Sequence, residues 1–207
     1  MNISKLTTYT KRRFKMTIDE IRAKLKIALD EKRFNHSLGV VQSAVELARH
    51  YGADVHKTAL AALLHDCAKN YSYEEMFELC ERFGVELDET TKASPGLIHG
   101  FLGAVIADKY YGVSDGEIYD AIYYHTVGKP NMSLLTKIIY IADGIEPGRT
   151  YEGVEQIRDM VFHDIDRALV LQIDYTIRSV ISRGGLLHTN TIETRNYYLR
   201  QKQIKVK

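Results

Sequence analysis

The chain is short of several things, and each shortage excludes something. Three prolines in 207 residues impose few breaks, and glycine falls mostly at segment boundaries, so helices joined by short turns are expected. Two cysteines, Cys67 and Cys80, are too few for a disulfide framework and form no metal-like pair, which fits a reducing, cytoplasmic compartment. A net charge of +1 gives no basic surface for nucleic acid. No apolar run approaches the roughly 20 residues that span a bilayer, so no membrane association is expected. Residues 1–15, MNISKLTTYTKRRFK, are polar and basic without the apolar centre of a secretory signal. They read as a disordered lead-in, which leaves Met16 as an alternative start. Stretches of alternating strand type, internal repeats and linkers are all missing, and residues 16–207 are expected to form one all-α domain.

What is present is apolar helix with a few polar residues set into it. In Ala59–Asn70, ALAALLHDCAKN, Ala and Leu favour helix and leave almost no polar face. His65 and Asp66 are costly in such a setting unless both are satisfied, and a bound metal cation satisfies both. Lys69 follows Asp66 by three residues, on nearly the same face of a continuing helix. A metal-binding pair with a cation one turn away suits the handling of phosphate.

The flanking segments read as follows. Thr17 and Glu20 form a capping box for a helix to about Asp30, and a second helix runs from Lys32 to Tyr51, ended by Gly52. The apolar stripe of that second helix, Val40, Ala44, Leu47 and Ala48, extends back to His36. After Ser72–Phe83, residues 85–94 read as a loop. Pro95–Tyr111 carries His99, and a helix from Ser114 places Ile118, Ala121, Ile122 and His125 on one face. A Ser133-capped helix runs to Pro147 with Asp143 among isoleucines. Gly153–Met160 and His163–Ser182 follow, and the segment from Leu186 begins as a loop and ends helically. A lone histidine on an apolar stripe is ordinarily a hydrogen-bonded core residue. His36, His65, Asp66, His99, His125 and Asp143 together are hard to account for that way, and imidazole with carboxylate suits iron, manganese or zinc. A second doublet, His163–Asp164, lies on the polar side of its stripe and reads as solvated surface.

The order His36, His65–Asp66, His99, His125, Asp143 resembles the metal-dependent HD-domain phosphohydrolases. The segments RFNHSLGV, LLHDCAK, IHGFLGA, YHTVGKPNMSLLTKIIYIADGIEPGR and HTNTIETRN are similar to the YqeK family of symmetrical bis(5′-nucleosyl)-tetraphosphatases, over about Ile18 to Leu199. The resemblance implies a single-domain HD-type helical bundle with its metal site between helices. By the same resemblance His36, His65, Asp66 and Asp143 hold a first metal, and His99 and His125 with a bridging Asp66 hold a second. The metal would be iron first, as one or two ions, with manganese, cobalt or zinc as alternatives.

Asp66, Lys69, His99 and His125 are then the catalytic candidates. Lys69, Arg33 and Arg149 are the cations for phosphate, since a guanidinium grips a phosphate with two parallel bonds. His99 and His125 serve either as second-metal ligands or as donors to the bridging phosphate. Asp143, Thr126 and the segment Leu186, Leu187, His188, Thr189, Asn190 and Thr191 resemble the parts of the family site that contact the nucleotide. The plainer reading of that segment is a loop before a helix, capped by Asn190 or Thr191. Tyr123 and Tyr124 are candidates to stack on a base.

The implied reaction is metal-dependent hydrolysis of diadenosine tetraphosphate to two ADP. The implied partner is a dinucleoside polyphosphate or a purine nucleotide, and apolar helix faces would allow a homodimer. Alarmone hydrolases carry Glu-Asp where this chain has Lys69 and Asn70, and HD-GYP phosphodiesterases carry a GYP element that YHTVGKP lacks. An HD-type nucleotidase or deoxynucleoside triphosphate hydrolase is the alternative enzyme, and a nucleotide sensor without turnover the alternative class. A structural scaffold would bury His65, Asp66 and Asp143 without partners.

Overall fold

A computed structural model describes residues 16–205. The lead-in expected over residues 1–15 lies outside the described residues. Eleven α-helices and one 3-10 turn account for the fold, with no strand among the described residues. The helices are α1 (Ile18–Ala28), α2 (Glu31–Tyr51), α3 (Val55–Leu64), α4 (Tyr73–Phe83), α5 (Glu89–Ala93), α6 (Ile98–Tyr111), α7 (Gly116–Tyr123), α8 (Leu134–Ile145), α9 (Val154–Met160), α10 (Ile165–Ser182) and α11 (Thr189–Lys205). None is long and apolar enough to cross a membrane.

Local chemistry sets most of the boundaries. Thr17 with Glu20 and Ser72 with Glu75 form complete capping boxes, and Asp30 and Ser133 each accept a backbone N–H at the third helical residue. Gly52 closes α2 at φ 68°, a left-handed conformation that costs glycine nothing. Residues 85–94, expected as loop, contain the short helix α5, because Asp88 caps it through the Thr91 N–H.

The core forms around α8, whose apolar face meets α2, α3, α7 and α10. Ile138, Ile139 and Ile141 are fully buried there, each contributing about 1.5–3 kcal/mol by removal from water. Every residue from Thr58 to Ala68 is buried, and Ala59, Ala61 and Ala62 let α3 lie close to its neighbours.

In two places the helix stops short of its expected end, and both matter. Helix α3 ends at Leu64, and His65–Asn70 is a run of tight turns, with Cys67 N–H bonding Leu64 O and Lys69 N–H bonding Asp66 O. His65 keeps helical dihedrals there, φ −54° and ψ −37°, and its Nε2 lies 3.6 Å from Asp66 Oδ2. Likewise α7 begins at Gly116 under an Asp115 cap, not at Ser114, and ends at Tyr123, leaving His125 in the turn beyond.

Candidate metal centre

Five chain segments converge at one end of α8: α2 brings His36, the turn after α3 brings His65 and Asp66, the first turn of α6 brings His99, the turn after α7 brings His125, and α8 itself brings Asp143. His36 Nε2 lies 3.1 Å from Asp143 Oδ1 and 3.3 Å from His65 Nε2. His99 Nε2 lies 3.1 Å from Asp66 Oδ1 and 3.2 Å from His125 Nε2. The donor atoms form two overlapping trios, His36–His65–Asp143 and His65–Asp66–His125, each with all atoms within 4.8 Å of one another. His65 belongs to both trios, and His99 extends the second through Asp66 and His125.

The far side of each imidazole explains its orientation. His65 Nδ1 is 2.7 Å from Ala62 O, His99 Nδ1 2.8 Å from Gly96 O, and His125 Nδ1 2.6 Å from Ile122 O. All three bonds reach back three residues to a backbone carbonyl, in the last turn of α3 or α7 or in the 3-10 turn before α6. A carbonyl only accepts, so each Nδ1 carries the proton and each Nε2 presents its lone pair inward. His36 Nδ1 meets Glu146 Oε1 at 3.2 Å instead, and Glu146 is fixed in turn by the Gly148 N–H, 2.6 Å from its other oxygen. Lone pairs of four imidazoles, facing one another and two carboxylates, repel unless a cation lies among them. The donor set therefore fits a divalent metal, with the outer hydrogen bonds that metal-ligating histidines ordinarily make.

Electrostatics agree. Burial pushes His65 and His99 down to about 4, so both stay neutral and able to ligate near neutral pH. Burial would raise the Asp66 and Asp143 carboxyls, but the surrounding imidazoles, with Arg149 beside Asp143, hold both well below their ordinary value. Arg33 Nη1 donates to Asp66 at 2.6 Å and Arg149 Nη2 to Asp143 at 2.6 Å. Lys69 Nζ sits 3.3 Å from Gly96 O and 3.0 Å from His99 Nδ1, and burial lowers its pKa. These cations border a cavity of about 370 Å³ together with Asp66, His99, His125 and Thr126. The Thr126 hydroxyl is buried there without a hydrogen-bond partner.

The segment 186–191, expected to contact the nucleotide, leads into and opens α11. Leu186 is exposed over an apolar groove that shares Gly96 with the metal cavity, and Leu187 is half-buried. Thr189 opens α11, so neither Asn190 nor Thr191 caps it; His188 does, accepting the Asn190 N–H. His188 is buried against Phe101 and paired with Asp88, and Thr191 donates to Val127 O. None of these six residues lines the cavity. Tyr123 and Tyr124 pack on each other and border a separate small hollow beside His188. His163 is exposed and Asp164 caps α10, which keeps the second doublet on the surface.

Two participants were not foreseen. Glu146 lies in the IEPGR stretch, where the proline draws attention to the turn and not to the buried carboxylate before it. Gln172, on α10, borders the cavity and takes the place of a side chain on Gly144, whose added Cβ would come within 1.5 Å of Gln172 Nε2.

With this geometry in view, residues 33–148 match the HD domain family. The chain is 37% identical over 182 residues to a Bacillus subtilis protein named symmetrical bis(5′-nucleosyl)-tetraphosphatase, covering 88% of this chain and 97% of that one. It is 36% identical over 185 residues to a Staphylococcus aureus protein of the same name, covering 88% and 95%. A crystal structure from Clostridium acetobutylicum, described as a predicted HD superfamily hydrolase involved in NAD metabolism, superposes with a TM-score of 0.87 at 46% identity, over 90% of this chain and 98% of that one. The chain belongs to the HD-domain family and, within it, to the YqeK family of symmetrical bis(5′-nucleosyl)-tetraphosphatases.

Proposed function

We propose that this protein hydrolyses diadenosine tetraphosphate at its central bridge, giving two ADP. The observation that carries the reading is the inward convergence of four imidazoles and two carboxylates, ringed by Arg33, Lys69 and Arg149. The names of the Bacillus subtilis and Staphylococcus aureus relatives support the same substrate.

His36, His65, Asp66 and Asp143 would hold one metal, and Asp66, His99 and His125 a second. Iron is our first choice, and manganese, cobalt and zinc accept the same ligands. A bound divalent ion supplies a water acidified to near-neutral pKa and draws charge from a phosphoryl oxygen. The rest falls to the protein. Lys69, Arg33 and Arg149 neutralise the remaining phosphate charge, and the unpartnered Thr126 hydroxyl offers a hydrogen bond to a phosphoryl oxygen. Leu186, over Gly96, lies where a base reaching out of the cavity would pass. In the hydrolysis a water oxygen would bond to the β-phosphorus of one half, releasing its proton to solvent, as the bond from that phosphorus to the central bridging oxygen breaks. The electron pair leaves with the other ADP. A cytoplasmic location fits such a substrate.

The test is product analysis after incubation with diadenosine tetraphosphate and iron or manganese, with Asp66→Ala beside it. ADP as sole product, lost in the variant, supports the reading. ATP plus AMP would place the scissile bond elsewhere. No turnover by metal-loaded protein would favour a mononucleotide hydrolase or a sensor.

A further inference from the structure

Central cleavage yields two equal products, yet the cavity over the metal ligands measures about 370 Å³, near the lower end of the roughly 300–1,000 Å³ usual for ligand pockets. Beside it, between α2 and the turn Glu146–Arg149, lies a groove of about 770 Å³. Arg33 and Arg149 border both spaces. We propose that the α2 groove is a second nucleotide subsite that holds the departing nucleoside diphosphate, so the substrate crosses between the two arginines with its central bridge at the metal ligands. This rests on the hydrolase reading above and adds a site to it.

The groove has the chemistry for that half. Its two acids are already engaged: Asp30 accepts the Arg33 N–H as the cap of α2, and Glu146 is held by His36 and the Gly148 N–H. Lys32, Arg33 and Arg149 set three positive charges against those two acids. Each arginine makes only part of the five N–H contacts available to a guanidinium: Arg33 bonds Asp66, and Arg149 bonds Asp143 through Nε and Nη2. Lys32, Asn35, Leu38 and Gln42 follow one another along one face of α2, covering about 15 Å of helix from end to end. The charged end lies beside Arg33. Leu38 and Pro147 supply apolar surface, and the exposed amides of Asn35 and Gln42 offer the paired donor and acceptor that an adenine edge takes.

The experiment compares wild type with an Asn35→Ala/Gln42→Ala double variant, whose sites are exposed and outside the core. Two substrates are used: diadenosine tetraphosphate, and adenosine tetraphosphate, which keeps the four phosphates with one nucleoside and would yield ADP plus pyrophosphate. Loss of two hydrogen bonds predicts a KM for the dinucleotide raised about five- to tenfold, with adenosine tetraphosphate unaffected. Calorimetric titration with ADP should give two molecules per wild-type chain, with one of the two bound about five- to tenfold more weakly by the variant. Equal effects on both substrates, or a single ADP on wild type, would overturn the second subsite. Failure of wild type to cleave the dinucleotide would instead defeat the hydrolase reading, and the ADP stoichiometry would still decide whether the groove binds nucleotide.

Discussion

Glu146→Gln should weaken metal binding without disturbing the fold. In the native protein one carboxylate oxygen accepts from His36 Nδ1 at 3.2 Å and the other from the Gly148 N–H at 2.6 Å, and the residue is 7% exposed. A carboxamide has the same shape but only one oxygen. Whichever way it turns, its NH2 group faces a donor, either the imidazole or the backbone amide. Rotation cannot relieve this, because Gly39 lies against the carboxylate, with a Cβ there meeting Glu146 Oε2 at 2.6 Å. Loss of the negative charge also removes the group that makes His36 Nε2 a better donor. Outer-shell partners of this kind are worth about 10- to 100-fold in metal affinity, or roughly 1.4–2.8 kcal/mol. Competition of the bound metal against a graded chelator measures it directly, with circular dichroism to verify the fold. Glu146→Gln binding metal as tightly as wild type would refute the role assigned to Glu146.

Gly144→Ala should destabilise the protein by about 1–3 kcal/mol in urea denaturation, since its Cβ would occupy the place of the Gln172 amide. Gly144→Ala/Gln172→Ala should recover much of that, and absence of any recovery would show that Gln172 is not the obstacle. Thr126→Val keeps the shape and removes a buried, unpartnered hydroxyl, so metal-free stability should hold or rise by up to about 1 kcal/mol while kcat/KM falls; unchanged turnover would remove Thr126 from the site. The metal-free protein should lose stability as pH falls from 6.5 towards 4. Over that window the unfolded chain protonates imidazoles that His65 and His99 keep neutral when folded; His36, whose pKa burial lowers but Asp143 and Asp66 raise by more, contributes its opposite change mainly above pH 6.5. Denaturation midpoints measured with chelator present would show it, and a flat profile would contradict the neutral buried pair.

The parts of the fold that were legible in the sequence are those set by local chemistry. The Thr17–Glu20 and Ser72–Glu75 boxes and Gly52 marked helix ends because their side chains, or the lack of one, act within one turn. His36 and Asp143 showed because each interrupts an apolar stripe inside a helix. The ends of α3 and α7 were illegible, since neither Leu64–His65 nor Tyr123–His125 contains glycine or proline. At both ends an imidazole takes a carbonyl three residues back, which becomes visible only when the rings have a common target. Glu146 and Gln172 were missed for a related reason. One follows an apolar run and the other sits on a mixed helix, and only tertiary packing against Gly39 and Gly144 shows that both are enclosed. His188 as a helix cap falls outside the usual Ser, Thr, Asp and Asn repertoire.

The histidines that meet at the centre are far apart along the chain: His36 and His65 are separated by 29 positions, His99 and His125 by 26. A metal bound among them would tie α2, α6, α8 and the two intervening turns into closed loops, as a set of crosslinks does. Its loss would therefore be felt well beyond the cavity. Amide exchange and protease cleavage in the metal-free protein should quicken in all five segments together.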